Sequence, residues 1–253
     1  MNAGELLPGE RLDDLQIDGF RLIQKRGTFC FGTDSVLLAD FAAPKKRDRA
    51  VDLGCGNGAI AILMAAHALE LRVDGVELQG EIADMARRSV RVNALEDRVR
   101  VFTGDMRAAW TLLGREAYSL AVCNPPYGAS GAGLASANES RRIARQADDL
   151  SPMEICASAE RLLKYGGRFC VVYPAARAYE MMAAMDACRI APKRVRTVHA
   201  APDRAPKLIL IEAVKGAGSA LHWMTPLILR DADGGFSAEY RRIYRLTDGE
   251  NLL

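Results

Sequence analysis

The stretch Ala50-Val51-Asp52-Leu53-Gly54-Cys55-Gly56-Asn57-Gly58 decides the fold, because it joins an apolar strand to a glycine-rich turn and then to an apolar helix at 59–70. The apolar run predicts a strand covered on both faces, as in a parallel sheet. Glycines let a ligand approach the backbone closely, and the helix start offers free N–H groups. Their spacing is G-x-G-x-G rather than the G-x-G-x-x-G of dinucleotide oxidoreductases. The stretch predicts an α/β fold with a ligand site at the end of this strand.

Strands and helices alternate onward from this stretch to residue 173, the pattern of a doubly wound, mostly parallel sheet. We predict further strands at 73–78 and 99–102, and each leads to an acid, Glu77 and Asp105. A carboxylate after the second strand can accept hydrogen bonds from two ribose hydroxyls. One after the third can accept from an adenine amino group. Each acid alone fits a solvated strand end better, so only the ordered set indicates a nucleoside site.

A fourth apolar run ends in Asn124-Pro125-Pro126-Tyr127. The prolines cannot donate to a sheet ladder, so the strand must stop there and the loop offers carbonyl oxygens without matching N–H groups. Asn124 adds an amide oxygen and Tyr127 an aromatic face. Together they fit a planar molecule that carries an NH2 group. The tetrapeptide alone is equally consistent with a strand-end turn.

The glycine turn, the two acids and the tetrapeptide, in this order, resemble the class I S-adenosylmethionine-dependent methyltransferases. Within that class the tetrapeptide resembles the branch that methylates planar amino nitrogens, on adenine or glutamine. The resemblance implies that S-adenosylmethionine is the cofactor. It implies that the cofactor-binding residues are Thr33, Asp34, Asp52, Gly54, Cys55, Gly56, Glu77, Leu78, Asp105, Met106 and Asn124. It implies that the catalytic residues are Asn124, Pro125, Pro126 and Tyr127.

From about residue 10 to the C-terminus the chain resembles the bacterial valine-tRNA adenine-N6 methyltransferases, which modify the adenine just 3′ of the anticodon. Within the similar stretch at 31–41, Phe31-Gly32-Thr33-Asp34 and the tetrapeptide are the most specific parts of this likeness, and Ile143-Ala144-Arg145 adds to it. In that family the start of the helix at 34–41, for which Thr33 is a good N-cap, lies under the methionine end of the cofactor. Members often carry His-Glu after Ile-Ala-Arg, where this chain has Gln146-Ala147.

Basic residues concentrate in two places after the tetrapeptide, and local basic patches are typical of proteins that bind polyanions. The segment 189–207 holds six Lys or Arg residues and a single acid, and 141–145 holds three arginines. We predict that the RNA-contacting residues are Phe31, Arg141, Arg142, Arg145, Lys193, Arg194, Arg196 and Lys207. The same charge pattern also fits an ordinary solvated surface. The loop at 128–138 is predicted to be either a substrate lid or a plain surface loop.

The remaining elements complete the predicted fold. Ser151-Pro152 with Glu154 indicates the capped start of a helix that ends at Gly166-Gly167. A strand at 169–173, a methionine-containing helix at 175–188 and an antiparallel pair at 194–199 and 208–214 follow. We also predict one edge strand at 221–229 and a basic, aromatic tail at 236–245. The expected whole is a seven-stranded, mostly parallel methyltransferase domain at 45–253, preceded by an appendage at 1–44 with a hairpin that turns at Asp18-Gly19.

Composition agrees with one ordinary α/β domain, since the 253 residues are 49% hydrophobic and 26% charged. The six cysteines show no C-x-x-C or Cys/His metal spacing, so we expect reduced thiols, no metal and a cytoplasmic protein. No signal peptide opens the sequence, and no apolar run reaches the ~18 residues of a membrane span. We therefore expect no membrane partner, and no feature identifies a protein partner.

The sequence predicts N6-methylation of an adenine in RNA, with adenine 37 in the anticodon loop of valine tRNA as the target. Glutamine N5-methylation of a translation factor would use the same tetrapeptide, although that family carries a helical N-terminal domain where this chain has a short hairpin. N6-methylation of adenine in DNA is a further alternative. A dehydrogenase or nucleotide-binding module would leave the tetrapeptide unexplained, and a non-catalytic RNA-binding protein would need neither motif.

Overall fold

The structure is a computed structural model that describes residues 6–25, 31–126 and 150–246, and the structural statements below refer to this part. Its strands are β1 (Glu10–Asp14), β2 (Arg21–Lys25), β3 (Arg49–Leu53), β4 (Arg72–Glu77), β5 (Val99–Thr103), β6 (Tyr118–Cys123), β7 (Leu163–Pro174), β8 (Ile190–His199), β9 (Leu208–Lys215), β10 (His222–Trp223) and β11 (Leu227–Ile228). Its helices are α1 (Thr33–Ala42), α2 (Ala59–His67), α3 (Gly80–Val92), α4 (Ala109–Leu113), α5 (Pro152–Leu162), α6 (Ala178–Ala187) and α7 (Ala238–Ile243). Met106–Ala108 and Ala175–Arg177 form 3-10 turns.

Seven long strands form the central sheet in the order β5-β4-β3-β6-β7-β9-β8, which confirms the predicted doubly wound fold. All pairs are parallel except those that β9 makes with β7 and β8. The short strands β10 and β11 both pair with β8, which brings the sheet to nine strands. The prediction of a single edge strand at 221–229 is therefore wrong, because two short strands form there instead. Pro226 lies between the two pieces, and its missing N–H cannot continue a ladder.

The N-terminal hairpin is present, and its two-residue turn at Asp18-Gly19 forms as predicted. Phe20 N donates to Ile17 O at 3.0 Å, and Asp18 and Gly19 have φ of 52° and 70°. Strand β1 pairs with β2 from Glu10↔Lys25 to Asp14↔Arg21. The connection is therefore residues 15–20. Leu15 and Ile17, which lie in this connection, are buried in the core. Their burial accompanies the end of regular pairing at Asp14, while the Asp-Gly turn itself is kept.

Several helix ends differ from their predicted positions. Helix α1 includes Thr33, and Gly32 occupies the cap position without a side-chain hydrogen bond, so Thr33 is not the N-cap. The start of α5 is capped as predicted, because Ser151 Oγ accepts from Glu154 N and Glu154 Oε2 accepts from Ser151 N at 2.9 Å. Its predicted end at Gly166-Gly167 is wrong. Strand β7 begins at Leu163 opposite Tyr118, so sheet pairing takes the residues before the glycines.

The helices cover both faces of the sheet, which explains the continuous apolar runs in its strands. Helices α1, α2 and α3 pack on one face, and α7 joins the same hydrophobic cluster. Helices α5 and α6 pack on the other, where Met181 and Met185 fill the core as expected. Because β3, β4, β5 and β6 are parallel, their carboxyl ends meet at one edge of the sheet. The residues that follow those four strands are therefore brought together.

Candidate active site

A cavity of about 220 Å³ opens at the carboxyl ends of β3, β4, β5 and β6. Its lining residues are Phe31, Ser35, Gly54, Cys55, Gly56, Asn57, Ala59, Ile60, Val76, Glu77, Leu78, Gln79, Ile82, Gly104, Asp105, Met106, Arg107, Asn124, Pro126 and Leu150. Eight of the predicted cofactor residues are among them. Thr33, Asp34 and Asp52 are not. The strand-end signals read from the sequence therefore lie around one cavity.

The glycine turn after β3 brings the backbone to the cavity. Gly54 and Gly56 have φ of 73° and 55°, a left-handed conformation that side chains disfavour. The N–H groups of Gly54 and Cys55 both donate to Val76 O, at 2.9 and 3.0 Å, which ties the turn to β4. A Cβ at Gly54 would lie 2.9 Å from Met106 Cε. The backbone conformation therefore favours glycine at both positions, whereas the Met106 methyl group ends a flexible side chain that could move aside.

Glu77 is the last residue of β4, and its carboxylate is held by backbone donors. Oε2 accepts from Gly56 N at 3.1 Å, and Oε1 accepts from Gln79 N at 2.8 Å. The residue is buried, and burial raises the pKa of its carboxyl group while these N–H groups act to lower it. The orientation of this acid is therefore set by the folded backbone.

Asp52 lies behind the cavity lining and is completely buried. In the described part of the chain neither of its carboxylate oxygens has a hydrogen-bond partner. Burial, and then the charge of Glu77, raises the pKa of Asp52 to about 7, against a weaker lowering effect of the Ala61 N–H in the first turn of α2. A buried carboxylate without a partner is costly, so nearby positive charge would stabilise it.

Asp105 follows β5 and is bound by the side chain two residues later. Arg107 Nε donates to Asp105 Oδ2 at 2.8 Å, and Arg107 Nη2 donates to the same oxygen at 2.7 Å. Oδ1 accepts from the Arg107 backbone N–H at 2.8 Å. The side-chain hydrogen bond from Arg107 is the main cause that lowers the pKa of Asp105. Arg107 Nη1 also lies 3.5 Å from Glu154 Oε1. Arg107 was missed from the sequence, where its position two residues after the acid was the available signal.

Asn124 follows β6 at the wall of the cavity and is buried. Its Nδ2 donates to Ser35 Oγ at 3.5 Å. Ser35 lies in the first turn of α1 and also lines the cavity. It was not among the predicted site residues, although it stands inside the motif that begins at Phe31. Pro126 lines the cavity, and Tyr127 lies outside the described residues.

The other predicted residues of the Phe31 motif lie around the start of α1. Phe31 lines the cavity, and its N–H donates to Gln24 Oε1 at 2.7 Å. The Thr33 hydroxyl lies 3.4 Å from the hydroxyl of Tyr240 in α7. Asp34 is partly buried, which raises the pKa of its carboxyl group. The start of α1 is thus contacted by both ends of the described chain.

Three predicted RNA-contacting residues on β8 are engaged within the protein. Arg194 Nη2 donates to Phe41 O at 2.9 Å and to Glu212 Oε2 at 3.1 Å. Arg196 is buried, and its two terminal nitrogens donate to the two oxygens of Glu239 at 2.9 and 2.6 Å. Lys193 Nζ donates to Gly218 O at 3.0 Å. The two arginines therefore join elements of the fold, and we leave them out of the proposed RNA surface.

Lys193 in β8 and the exposed cations after β8 lie at opposite edges of the sheet. Its register with β9 places Ile190 at the amino edge of the sheet and Val198 at the carboxyl edge, where the cavity opens. Lys193 therefore lies towards the far edge. Arg204 and Lys207 are exposed in the loop at the cavity edge, where Ala175 N donates to Lys207 O at 3.0 Å, directly after β7. Arg141, Arg142, Arg145 and the loop at 128–138 lie outside the described residues.

Metal-ligand groups and membrane-spanning helices are both absent from the described residues. No group of three or more His, Cys, Asp or Glu side chains there is arranged to hold a metal ion. No helix there is long and apolar enough to span a membrane. The described cysteines are free thiols, and Cys55, Cys123, Cys156 and Cys170 are buried. His199 contacts Arg204 O and Thr197 Oγ1, which supports the loop at the cavity edge.

A doubly wound sheet whose glycine turn, strand-end acids and Asn-Pro-Pro turn surround one cavity defines a Rossmann-like methyltransferase. The model of the family described as "Methyltransferase small domain" matches residues 20–194. The chain is 30% identical to the tRNA1(Val) (adenine(37)-N6)-methyltransferase of Dickeya chrysanthemi, over 94% of this chain and 95% of that protein. It is 29% identical to the protein of that name from Porphyromonas gingivalis, over 84% and 86%. The chain belongs to the methyltransferase small domain family, in the group that contains these relatives.

Solved structures support the same fold. A predicted O-methyltransferase of Agrobacterium tumefaciens superposes with a TM-score of 0.71 at 23% identity, over 87% of this chain and 100% of that one. A geranyl diphosphate methyltransferase, solved in complex with SAM, gives a TM-score of 0.52 at 19% identity, over 72% of this chain and 84% of that one. At these identities the likeness shows the architecture.

Proposed function

We propose that this protein transfers a methyl group from S-adenosylmethionine to N6 of an adenine in RNA, with adenine 37 of valine tRNA as its target, and that it acts in the cytoplasm. The observation that carries the proposal is that Asn124 and its proline turn lie at the wall of the cavity lined by Glu77 and Asp105. The relatives named for this activity, which match nearly the whole chain, support the choice of tRNA.

The residues around the cavity fit S-adenosylmethionine, which supplies an electrophilic methyl group on a positively charged sulfur. Glu77 is held by backbone donors with its carboxylate at the cavity, where it can accept from ribose hydroxyls. Asp105 can accept from an adenine amino group once Arg107 releases an oxygen. The unpartnered carboxylate of Asp52 favours a cationic ligand nearby. The left-handed glycine turn leaves room for a ligand beside the backbone.

In the proposed mechanism Asn124 and Pro125 activate a weak nucleophile. The lone pair of an adenine amino nitrogen is delocalised into the ring. Hydrogen bonds from its two hydrogens to Asn124 Oδ1 and Pro125 O stabilise the positive charge that develops on nitrogen during attack. No strong base is required, because the methylated cation is very acidic. Tyr127 stacks on the target base, which an anticodon loop presents more readily than a duplex.

Incorporation of labelled methyl groups tests the substrate. The protein is incubated with labelled S-adenosylmethionine and, separately, total tRNA, DNA and a translation-factor fraction. We expect label in tRNA and N6-methyladenosine after nucleoside digestion. Label in protein supports glutamine methylation, and label in DNA supports the DNA alternative. Calorimetric titration with S-adenosylmethionine and with NAD separates methyl transfer from dehydrogenase chemistry.

Asn124→Ala tests the catalytic assignment. The variant removes one acceptor from the reacting amine, so the methyl-transfer rate should fall on the order of a hundredfold or more, as for loss of one preorganised polar group. Cofactor affinity should hardly change. Single-turnover kinetics on an anticodon stem-loop and calorimetry measure the two effects separately.

Tyr127 provides the comparison for that variant. Tyr127→Phe keeps the stacking face and should be mild, whereas Tyr127→Ala should lose about 1–3 kcal/mol of base stacking. If Asn124→Ala methylates at the wild-type rate, the tetrapeptide is only a strand end.

We place the described part of the RNA-binding surface at Arg204 and Lys207, because both are exposed at the edge where the cavity opens. The double variant Arg204→Glu/Lys207→Glu should weaken tRNA binding and reduce the slope of log affinity against log salt by about 1–2. Lys193→Glu is the matched control at the opposite edge and should leave the slope unchanged. An equal loss in both proteins would contradict this placement. Filter binding over a salt series gives the slopes.

A further inference from the structure

The orientation of the Asn124 amide needs a physical cause. The two ends of a side-chain amide have nearly the same shape, but one accepts hydrogen bonds and the other donates them. In the proposed reaction only the oxygen end can accept from the adenine amino group. A rotation of the amide by 180° would bring two donors together. The active site therefore needs a neighbour that binds the nitrogen end of Asn124.

Ser35 is placed to do this. Its hydroxyl oxygen accepts from Asn124 Nδ2 at 3.5 Å, although the two residues are 89 positions apart in the chain. Both side chains are at least nine-tenths buried, and both line the cavity. A helical serine can donate its own hydrogen to a carbonyl three or four residues earlier, which leaves its oxygen free to accept from another group. In the structure the Ser35 oxygen is the acceptor, so the Asn124 nitrogen faces α1 and the Asn124 oxygen faces away from it.

The position of Ser35 is itself fixed by contacts from distant parts of the chain. It is followed by the apolar residues Val36, Leu37 and Leu38, all buried, so the helix could have carried an apolar residue here at less cost. Two residues before it, the Thr33 hydroxyl meets the hydroxyl of Tyr240 in α7. On the other side, Phe31 N donates to Gln24 of the hairpin. These contacts support the backbone on both sides of Ser35, and its buried hydroxyl is therefore suited to orient a neighbouring side chain.

We propose that Ser35 is a positioning residue, which holds the Asn124 amide so that its oxygen faces the methyl-accepting amino group. This inference rests on the proposed function, because it assigns Ser35 a role through Asn124. The hydroxyl contributes one hydrogen bond to the choice between two amide orientations. Its loss should therefore reduce the productive fraction without altering the cofactor site.

Ser35→Ala should lower the single-turnover rate on an anticodon stem-loop by about three- to tenfold, the effect of one lost hydrogen bond. Affinity for S-adenosylhomocysteine should stay within twofold, and Ser35→Thr, which restores a hydroxyl, should recover most of the rate. The matched control is Ser89→Ala in α3, another buried helical serine, whose hydroxyl donates to Met85 O and accepts from Ile23 N. It should lose stability without losing rate.

A double-mutant cycle separates positioning from a general structural role. In the Asn124→Ala background the serine variant should change the rate less than twofold, because the group it orients is gone. An equal loss in both backgrounds would overturn the proposal, and so would a wild-type rate in Ser35→Ala. A parallel loss of S-adenosylhomocysteine affinity would overturn it as well, by making Ser35 a cofactor ligand.

Nuclear magnetic resonance decides the inference independently of the RNA substrate. The side-chain NH2 signals of Asn124, assigned by their absence in Asn124→Ala, should shift and exchange faster with water in Ser35→Ala but not in Ser89→Ala. Unchanged signals would overturn the positioning role. If the wild-type protein transfers no methyl group to RNA while these signals respond as expected, the proposed function fails and the contact between Ser35 and Asn124 stands.

Discussion

The acids at the ends of β3 and β4 contrast with the one after β5. Asp52 and Glu77 are buried, and Glu77 is oriented by two backbone N–H groups. Asp105 is partly exposed, and both of its oxygens accept from Arg107. Burial raises the pKa of the first two acids, whereas Arg107 lowers the pKa of the third.

This difference shows that one cavity can combine an acid held by fixed backbone hydrogen bonds with an acid whose hydrogen-bond partner can be replaced. The backbone donors cannot leave Glu77 unless β4 or the glycine turn moves. The acid proposed to bind ribose is therefore oriented before a ligand arrives. A side-chain guanidinium can rotate away, and Glu154 stands 3.5 Å from Arg107 as an alternative partner. Asp105, the acid proposed to bind adenine, must therefore exchange a hydrogen bond from Arg107 for one from the ligand.

The largest effect on cofactor affinity should come from changing Glu77, the acid held by backbone donors. Glu77→Ala removes the hydrogen-bond acceptor for the ribose hydroxyls and for two backbone donors. It should weaken S-adenosylmethionine binding by about 1–3 kcal/mol. Glu81→Ala, an exposed acid in the first turn of α3, is the control and should bind normally. Isothermal calorimetry measures both. Unchanged affinity in Glu77→Ala would remove Glu77 from the site and end the contrast.

The buried acids should also make stability depend on pH. The pKa of Asp52 is about 7 in the folded protein and about 4 when unfolded, so between these values the native state holds a proton that the unfolded state has lost. The native state is therefore favoured at low pH, and the free energy of unfolding should fall as pH rises from 4 to 7. The slope from this group is at most about 1.4 kcal/mol per pH unit.

Asp52→Asn should flatten that slope, whereas Asp97→Asn, at an exposed position, should not. Urea unfolding of the cofactor-free protein from pH 5 to 8 gives the two profiles. A wild-type slope in Asp52→Asn would show that the buried acid is ionised throughout, and its contrast with Asp105 would be lost.

The smallest effect on cofactor affinity should come from changing Arg107, the side chain that binds Asp105. Arg107→Ala frees both oxygens of Asp105, so affinity for S-adenosylhomocysteine should rise about two- to fivefold, as expected for an exposed ion pair. Arg100→Ala, which removes another exposed guanidinium that binds an acid, Asp74, should have no effect. Competitive displacement of a fluorescent analogue can resolve such a change. Weaker binding in Arg107→Ala would mean that Arg107 holds the cofactor rather than competing with it.

What could be predicted from the sequence was local in the chain. The glycine turn is a short segment with its own conformational requirement, and Glu77 and Asp105 each follow an apolar strand directly. Parallel pairing alone then brings such strand ends together. This explains why most of the cofactor residues inferred from resemblance line one cavity.

What could not be predicted depended on distant partners. Arg196 pairs with Glu239, 43 residues away, and Arg194 reaches Phe41 O over 153 residues. A count of charges in the segment 189–207 cannot separate these internal ion pairs from surface cations such as Lys207. The burial of Leu15 and Ile17 outside the ladder likewise depends on packing, whereas the turn at Asp18-Gly19 is a local feature and forms as predicted.

The contact between α7 and α1 has a consequence for synthesis of the protein. Tyr240 reaches Thr33, and Tyr240 and Ile243 are buried in the cluster that contains α1. A nascent chain that has emerged as far as β9 already carries all the residues proposed to bind the cofactor. The first turn of α1 still lacks the support of α7 at that stage. Synthesis of α7 therefore adds support to the start of α1 after the residues proposed to bind the cofactor have been made.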